Sequence, residues 1–127
     1  MRLLLDTHIL LWAAADRDRV PAPVADLMLD PSNSLHFSPA SLWEVGIKRL
    51  KFPGFHVHPH DLAQHLLANS YVELPITARH AIATADLPTL HNDPFDRIMI
   101  AQAIVEQIVL ITVDKMVGRY PGPIQRY

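Results

Sequence analysis

The chain has 127 residues, half of them hydrophobic and 19% charged, with a formal net charge of −2 and no cysteine. The length suits one domain with a real core, and the composition excludes a disordered chain. Disulfides, thiolate metal sites and cysteine nucleophiles are excluded too, and any RNA or DNA contact must rest on local cations and metal, not bulk charge. No apolar run approaches the roughly 18–20 residues of a membrane span. Leu3-Leu4-Leu5 is too short for a signal-peptide core before Asp6 interrupts it. The expected location is cytoplasmic.

Taken in chain order, residues 2–6 read as a short buried strand. Residues 7–15 continue as a helix with Ile9, Leu10, Trp12 and Ala13 inward. Pro21 and Pro23 open a second helix with Val24, Leu27 and Met28 on one face. Residues 30–34 form a turn cluster and residues 35–38 a strand. Ser38-Pro39 is an N-cap and first helical position for a helix to about Leu50. Pro53-Gly54 ends it, residues 56–59 form a loop, and a short helix covers about 61–69. Residues 71–74 read as a strand, and Thr77 caps a helix to about Ala85. Residues 87–92 are irregular, and Asp93-Pro94 starts a very apolar helix to about Glu106. Residues 108–112 are the clearest strand, followed by Asp114. Strands alternating with helices predict a parallel α/β sheet, in one domain over residues 1–127.

Four acids recur at junctions between apolar runs and helix starts: Asp6, Glu44, Asp96 and Asp114. In a parallel α/β domain such junctions lie along the carboxyl edge of the strands, where ligands bind. Each acid alone has a bland explanation. Asp6 and Asp114 suit helix caps. Asp93-Pro94-Phe95-Asp96 suits a cap, a proline at the first position and an acid near the positive dipole end. Ser41-Leu42-Trp43-Glu44 has capping-box spacing. Together, carboxylates converging from several strand ends repel one another unless a cation or protons neutralise them. Hard divalent ions prefer oxygen ligands, so the pattern points to metal-dependent phosphoryl transfer.

The stretches Leu4-Leu5-Asp6-Thr7-His8, the Glu44 helix, Asp96 with Met99-Ile100-Ala101-Gln102-Ala103, and Thr112-Val113-Asp114 resemble the PIN domain. They are most similar to VapC-type toxin ribonucleases of toxin–antitoxin modules, and His91-Asn92-Asp93-Pro94-Phe95-Asp96-Arg97 resembles a sub-family signature. The resemblance implies a three-layer α/β/α sandwich with a mainly parallel sheet of about five strands. It implies Mg²⁺ or Mn²⁺ held by Asp6, Glu44, Asp96 and Asp114 as metal and catalytic residues. Asp93 would be auxiliary, and Thr7 and Thr112 would hydrogen-bond a ligating carboxylate or water. The implied activity is endoribonuclease, by metal-activated water. The implied partners are an RNA substrate, a cognate antitoxin whose segment lies along apolar helices near residues 24–28 and 62–67, and a second copy in a homodimer.

Lys48, Arg97 and Lys115 neighbour site acids and are candidate phosphate contacts, although Glu44–Lys48 also suits an ordinary helix pair. His56, His58 and His60 alternate in a loop, compatible with zinc but better read as solvated. His8 lies beside Asp6 and reads equally as facing the cleft or as packing. Two other functions fit less well. A haloacid-dehalogenase-like phosphatase would carry a second Asp where His8 stands. A non-catalytic PIN-like partner-binding domain would use the acids only as caps.

Overall fold

The computed structural model describes residues 1–127. Five parallel strands form one sheet in the order β3-β2-β1-β4-β5. They are β1 (Arg2–Leu5), β2 (Ser34–Phe37), β3 (Val72–Glu73), β4 (Val109–Thr112) and β5 (Ile124–Arg126). Six helices cover the sheet: α1 (Thr7–Ala15), α2 (Ala22–Leu29), α3 (Pro39–Lys51), α4 (Pro59–Ala68), α5 (Ala78–Ala83) and α6 (Pro94–Glu106). No helix is long and apolar enough to cross a membrane.

Strand periodicity explains the layers, because alternate side chains point to opposite faces. Leu3, Leu5, Phe37 and Ile111 pack with Ile9, Leu10, Val24, Val45, Leu62 and Leu66 of α1–α4. Leu4 and Leu110 pack on the other face with Met99, Ile100 and Ala103 of α6. β1 and β4 are central strands, buried from Leu3 and from Leu110 onward, which is why these stretches read as apolar runs. The result is the expected α/β/α sandwich.

The register positions the site. Leu4 pairs with Leu110 and Leu5 with Ile111, and Asp6 N–H donates to Ile111 O at 3.0 Å. One step further, Asp6 lies beside Thr112. Both share the parity of Leu4 and Leu110, so both side chains turn toward the α6 layer. The strand order reverses direction of growth between β1 and β4, and the crevice at such a switch point is where α/β sheets bind ligands.

Several expectations need correction. The fifth strand, β5, escaped the chain-order reading: it has three residues, one of them apolar, and it follows a turn at Gly122. There φ is +125° and a Cβ would come within 2.9 Å of Ile104. α5 stops at Ala83 and gives way to a 3₁₀ turn at Thr84–Asp86. α4 starts at Pro59, two residues early, because His58 Nδ1 accepts the His60 N–H and caps it. β3 keeps only two residues of the expected four. Trp12 is only half-buried. Asp114 precedes a turn and a 3₁₀ segment at Val117–Arg119, not an α-helix.

Candidate functional site

Asp6 ends β1 and caps α1. Its Oδ1 accepts the Thr7 N–H at 2.7 Å, and its Oδ2 accepts the Thr112 hydroxyl at 2.7 Å. Burial pushes the Asp6 carboxyl up, against the lowering effect of those hydrogen bonds, and the Glu44 charge adds to the rise. Thr112 Oγ1 also accepts the Asp114 N–H at 3.0 Å. One hydroxyl thus ties the ends of the two central strands together.

Thr7 does the corresponding work toward α3. Its Oγ1 donates to Glu44 Oε1 at 2.8 Å and lies 2.8 Å from Ser41 Oγ. A threonine has one hydroxyl proton, so with that proton on Glu44 it is Ser41 that donates to Thr7. The capping-box reading of Ser41 and Glu44 is therefore wrong. Ser38 caps α3 by accepting the Ala40 N–H at 3.1 Å, and Ser41 and Glu44 sit a turn inside the helix facing α1. Glu44 Oε2 meets Lys48 Nζ at 3.3 Å, so the helix-pair reading of Lys48 holds and its ammonium sits at the rim of the acids.

Asp96 projects from the first turn of α6. Desolvation raises its pKa to about 7, with the Asp6 charge next and smaller contributions from Asp93 and Glu44. The opposing effect is a hydrogen bond to His91, whose Nε2 lies 2.7 Å from Asp96 Oδ2. Asp93 caps α6, its Oδ1 accepting from Phe95 N–H at 2.9 Å and Asp96 N–H at 3.3 Å. The remaining Asp93 oxygen and Asp96 Oδ1 make no hydrogen bond within the protein.

The structure thus gathers Asp6, Glu44, Asp93 and Asp96 within electrostatic reach of one another. Asp114 is joined only through Thr112. Its Oδ1 accepts from Met116 N–H at 2.7 Å and Val117 N–H at 3.2 Å, so the cap reading of Asp114 holds for one of its oxygens. One cluster could hold a metal ion, and it shares Asp96 and the auxiliary Asp93 with the expected set. His91, Asp93 and Asp96 each offer a ligand atom within 4.8 Å of the others. No role for His91 was expected from the sequence. Its position five residues before Asp96 and beside Asn92-Asp93 was the available signal. His56, His58 and His60 are exposed as expected, but His58 caps α4 and His60 lies in its first turn, so only His56 sits in a loop.

Arg97 turns its guanidinium donors to the protein itself. Its Nη1 donates to the carbonyls of Pro88 and His91 and to Tyr120 Oη, and its Nη2 donates to the carbonyls of Thr84 and Leu87. Tyr120 Oη in turn donates to His91 O at 3.1 Å. Adjacent on α6, Asp96 faces the acids while Arg97 fastens the irregular segment that carries His91. Lys115 is exposed and makes no ion pair.

Oxygen donors of this density suit a hard divalent cation. Asp96 rises to about 7 chiefly because burial disfavours its charged form, with the charges of Asp6, Asp93 and Glu44 adding to the rise.

The fold agrees with the comparisons. A family model described as the PIN domain matches residues 3–123. A search of curated proteins finds no match. Among solved structures, the chain is similar to VapBC2 from Rickettsia felis bound to a DNA fragment from its promoter. The TM-score is 0.74 at 19% identity, over 99% of this chain and 98% of that one. DNA-bound VapBC from Salmonella typhimurium gives 0.68 at 17% identity, again over 99% and 98%. A toxin–antitoxin complex from Klebsiella pneumoniae gives 0.64 at 22% identity, over 97% and 95%. At these identities the structural likeness carries the fold. The family match spans nearly the whole chain, and the chain belongs to the PIN domain family.

Proposed function

We propose that this chain is the toxin of a toxin–antitoxin module, a Mg²⁺- or Mn²⁺-dependent endoribonuclease that hydrolyses RNA phosphodiester bonds. The observation that carries the reading is the buried, mutually repelling pair Asp6 and Asp96 at the switch point of a parallel sheet, with Asp96 raised to about 7. PIN membership supports nuclease chemistry, and the likeness to VapBC complexes supports an antitoxin partner. A cytoplasmic location and a homodimeric state belong to the same reading.

Asp6, Glu44, Asp96 and Asp114 would hold the ion, with Asp93 beside them. Bound there, the ion would neutralise phosphodiester charge and lower the pKa of the attacking water. The protein's own task is to hold the acids still before substrate arrives. Thr112 and Thr7 N–H fix both oxygens of Asp6. Thr7 and Lys48 fix both oxygens of Glu44. His91, itself held by Arg97 and Tyr120, fixes one oxygen of Asp96. Such preorganisation removes the reorganisation cost at the moment of reaction.

A second reading, a non-catalytic partner-binding PIN domain, draws on the helix-start bonds made by Asp93 and Asp114. RNA cleavage in Mg²⁺, in EDTA and with Asp6→Asn separates the two. Cleavage should require the metal and be lost in the variant. Equal cutting by parent and Asp6→Asn, with EDTA harmless, would sink the metal mechanism.

A further inference from the structure

Beside the acids lies a cleft of about 420 Å³ whose walls, Lys48 apart, the proposed reaction leaves unused. Trp12 on α1 stands one turn beyond His8, the two rings inclined by 21° with centroids 6.0 Å apart. The Arg19 guanidinium lies 5.0 Å from the centre of the Trp12 ring. Lys48 of α3 and Phe52 and Phe55, just after α3, complete the wall. Phe52 is 57% exposed, an aromatic surface that packing within the chain does not explain.

Two features join this cleft to the acids. His8 is two residues beyond Asp6, and Lys48 Nζ is 3.3 Å from Glu44 Oε2. Two cations, Arg19 and Lys48, and one carboxylate, Asp16, line this aromatic wall, with Glu44 pairing Lys48 at its edge. Aromatic surface interleaved with cations is the pattern that binds single-stranded nucleic acid, bases on the rings and phosphates on the charges.

We propose that this cleft is a subsite for one unpaired nucleotide of the RNA strand, adjacent to the phosphate at the acids. The base lies against Trp12 and Phe52, and the flanking phosphates approach Arg19 and Lys48. The proposal rests on the ribonuclease reading and adds a residue-level subsite to it. A base inside a duplex cannot reach such a wall without unstacking, so the wall takes an unpaired nucleotide.

The test uses Asp6→Asn protein in Mg²⁺, to limit cleavage, with Trp43→Phe so that Trp12 is the sole tryptophan. The probe is a fluorescein-labelled, unstructured seven-nucleotide RNA, with a blunt duplex of equal length beside it. The single strand should quench Trp12 emission and the duplex should not, a readout that needs no change at Trp12. Trp12→Ala should weaken binding roughly ten-fold or more. Trp12→Phe should stay within a few-fold, and Arg19→Gln should weaken binding and flatten its salt dependence. Unquenched Trp12 with unchanged affinity in Trp12→Ala would overturn the subsite, and RNA cutting by the parent would then leave the ribonuclease reading intact. Quenching and Trp12-dependent binding in a parent that cuts no RNA would support the subsite and remove the nuclease. Release of a co-purified protein partner by Trp12→Ala, with RNA affinity unchanged, would assign the cleft to that partner and overturn the proposal.

Discussion

At each end of α6 a histidine meets a carboxylate. At the C-terminal end His80 Nε2 lies 2.8 Å from Glu106 Oε1, and His80 Nδ1 accepts the Thr77 N–H at 2.9 Å. That acceptance leaves the proton on Nε2, which donates to Glu106, so a neutral ring satisfies both contacts. Glu106 is a third exposed. At the N-terminal end His91 meets Asp96 at 2.7 Å, a geometry almost the same. Here the carboxylate is buried and crowded by Asp6, Asp93 and Glu44, and it rises to about 7. The hydrogen bond does not distinguish the two ends. Burial of Asp96, with the neighbouring acid charges adding to it, does, and perturbed groups in a cleft are the candidates for chemistry.

The largest difference between the ends should appear in activity. Asp96→Asn keeps the side-chain shape and removes one charge. Loss of one preorganised polar group at a reacting centre is worth about 10²–10³-fold in rate, and RNA cleavage should fall by at least that. Glu106→Gln keeps the oxygen that accepts from His80 and should cut at the parental rate. Equal losses in the two variants would mean that α6 integrity, not the acid cluster, is being measured.

Smaller, but free of any activity assay, is the effect of pH on metal-free stability. Asp96 holds its proton more tightly when folded, about 7 against the ordinary 3.8. Its contribution is therefore complete below the unfolded pKa and is lost as pH rises through about 7. The melting temperature of the metal-free protein should drop between pH 5 and 8. The drop should be shallower in Asp96→Asn and unaltered in Glu106→Gln. Mg²⁺ at pH 7.5 should raise the parent's melting temperature more than that of Asp96→Asn. Identical pH curves for parent and Asp96→Asn would show that the repulsion at this end is already relieved.

The same contrast explains what could be read from the chain. β1, β4 and the start of α6 were legible because their signals are local: Leu3-Leu4-Leu5, Val109-Leu110-Ile111 and Asp93-Pro94. The carboxyl-edge placement of Asp6 and Asp114 followed from alternation alone. Less local features were not legible. β5 owes its existence to pairing with β4, since Gln125 and Arg126 carry no strand pattern. His91 gained its place from Arg97 and from Tyr120, 29 residues away. Ser41 looked like a cap until α3 packed against α1. Arg97 beside Asp96 in sequence points elsewhere in space, because consecutive helical residues do not share a face.

The smallest effect concerns how each end is braced. Thr112 is fully buried, and its hydroxyl both donates to Asp6 and accepts from Asp114 N–H. Thr112→Val preserves shape but strands a buried carboxylate oxygen and a backbone N–H, a cost of about 1–3 kcal/mol. Thr77 is exposed, and its own N–H still reaches His80 in a valine variant, so Thr77→Val should cost under about 1 kcal/mol. Urea denaturation of both variants checks the pair. The comparison sharpens when Mg²⁺ is added. If Thr112 acts by orienting Asp6 for an ion, the metal should stabilise Thr112→Val less than the parent. It should stabilise Thr77→Val and the parent alike. An equal metal shift in all three proteins would make the Thr112–Asp6 bond a brace between β1 and β4 and nothing more.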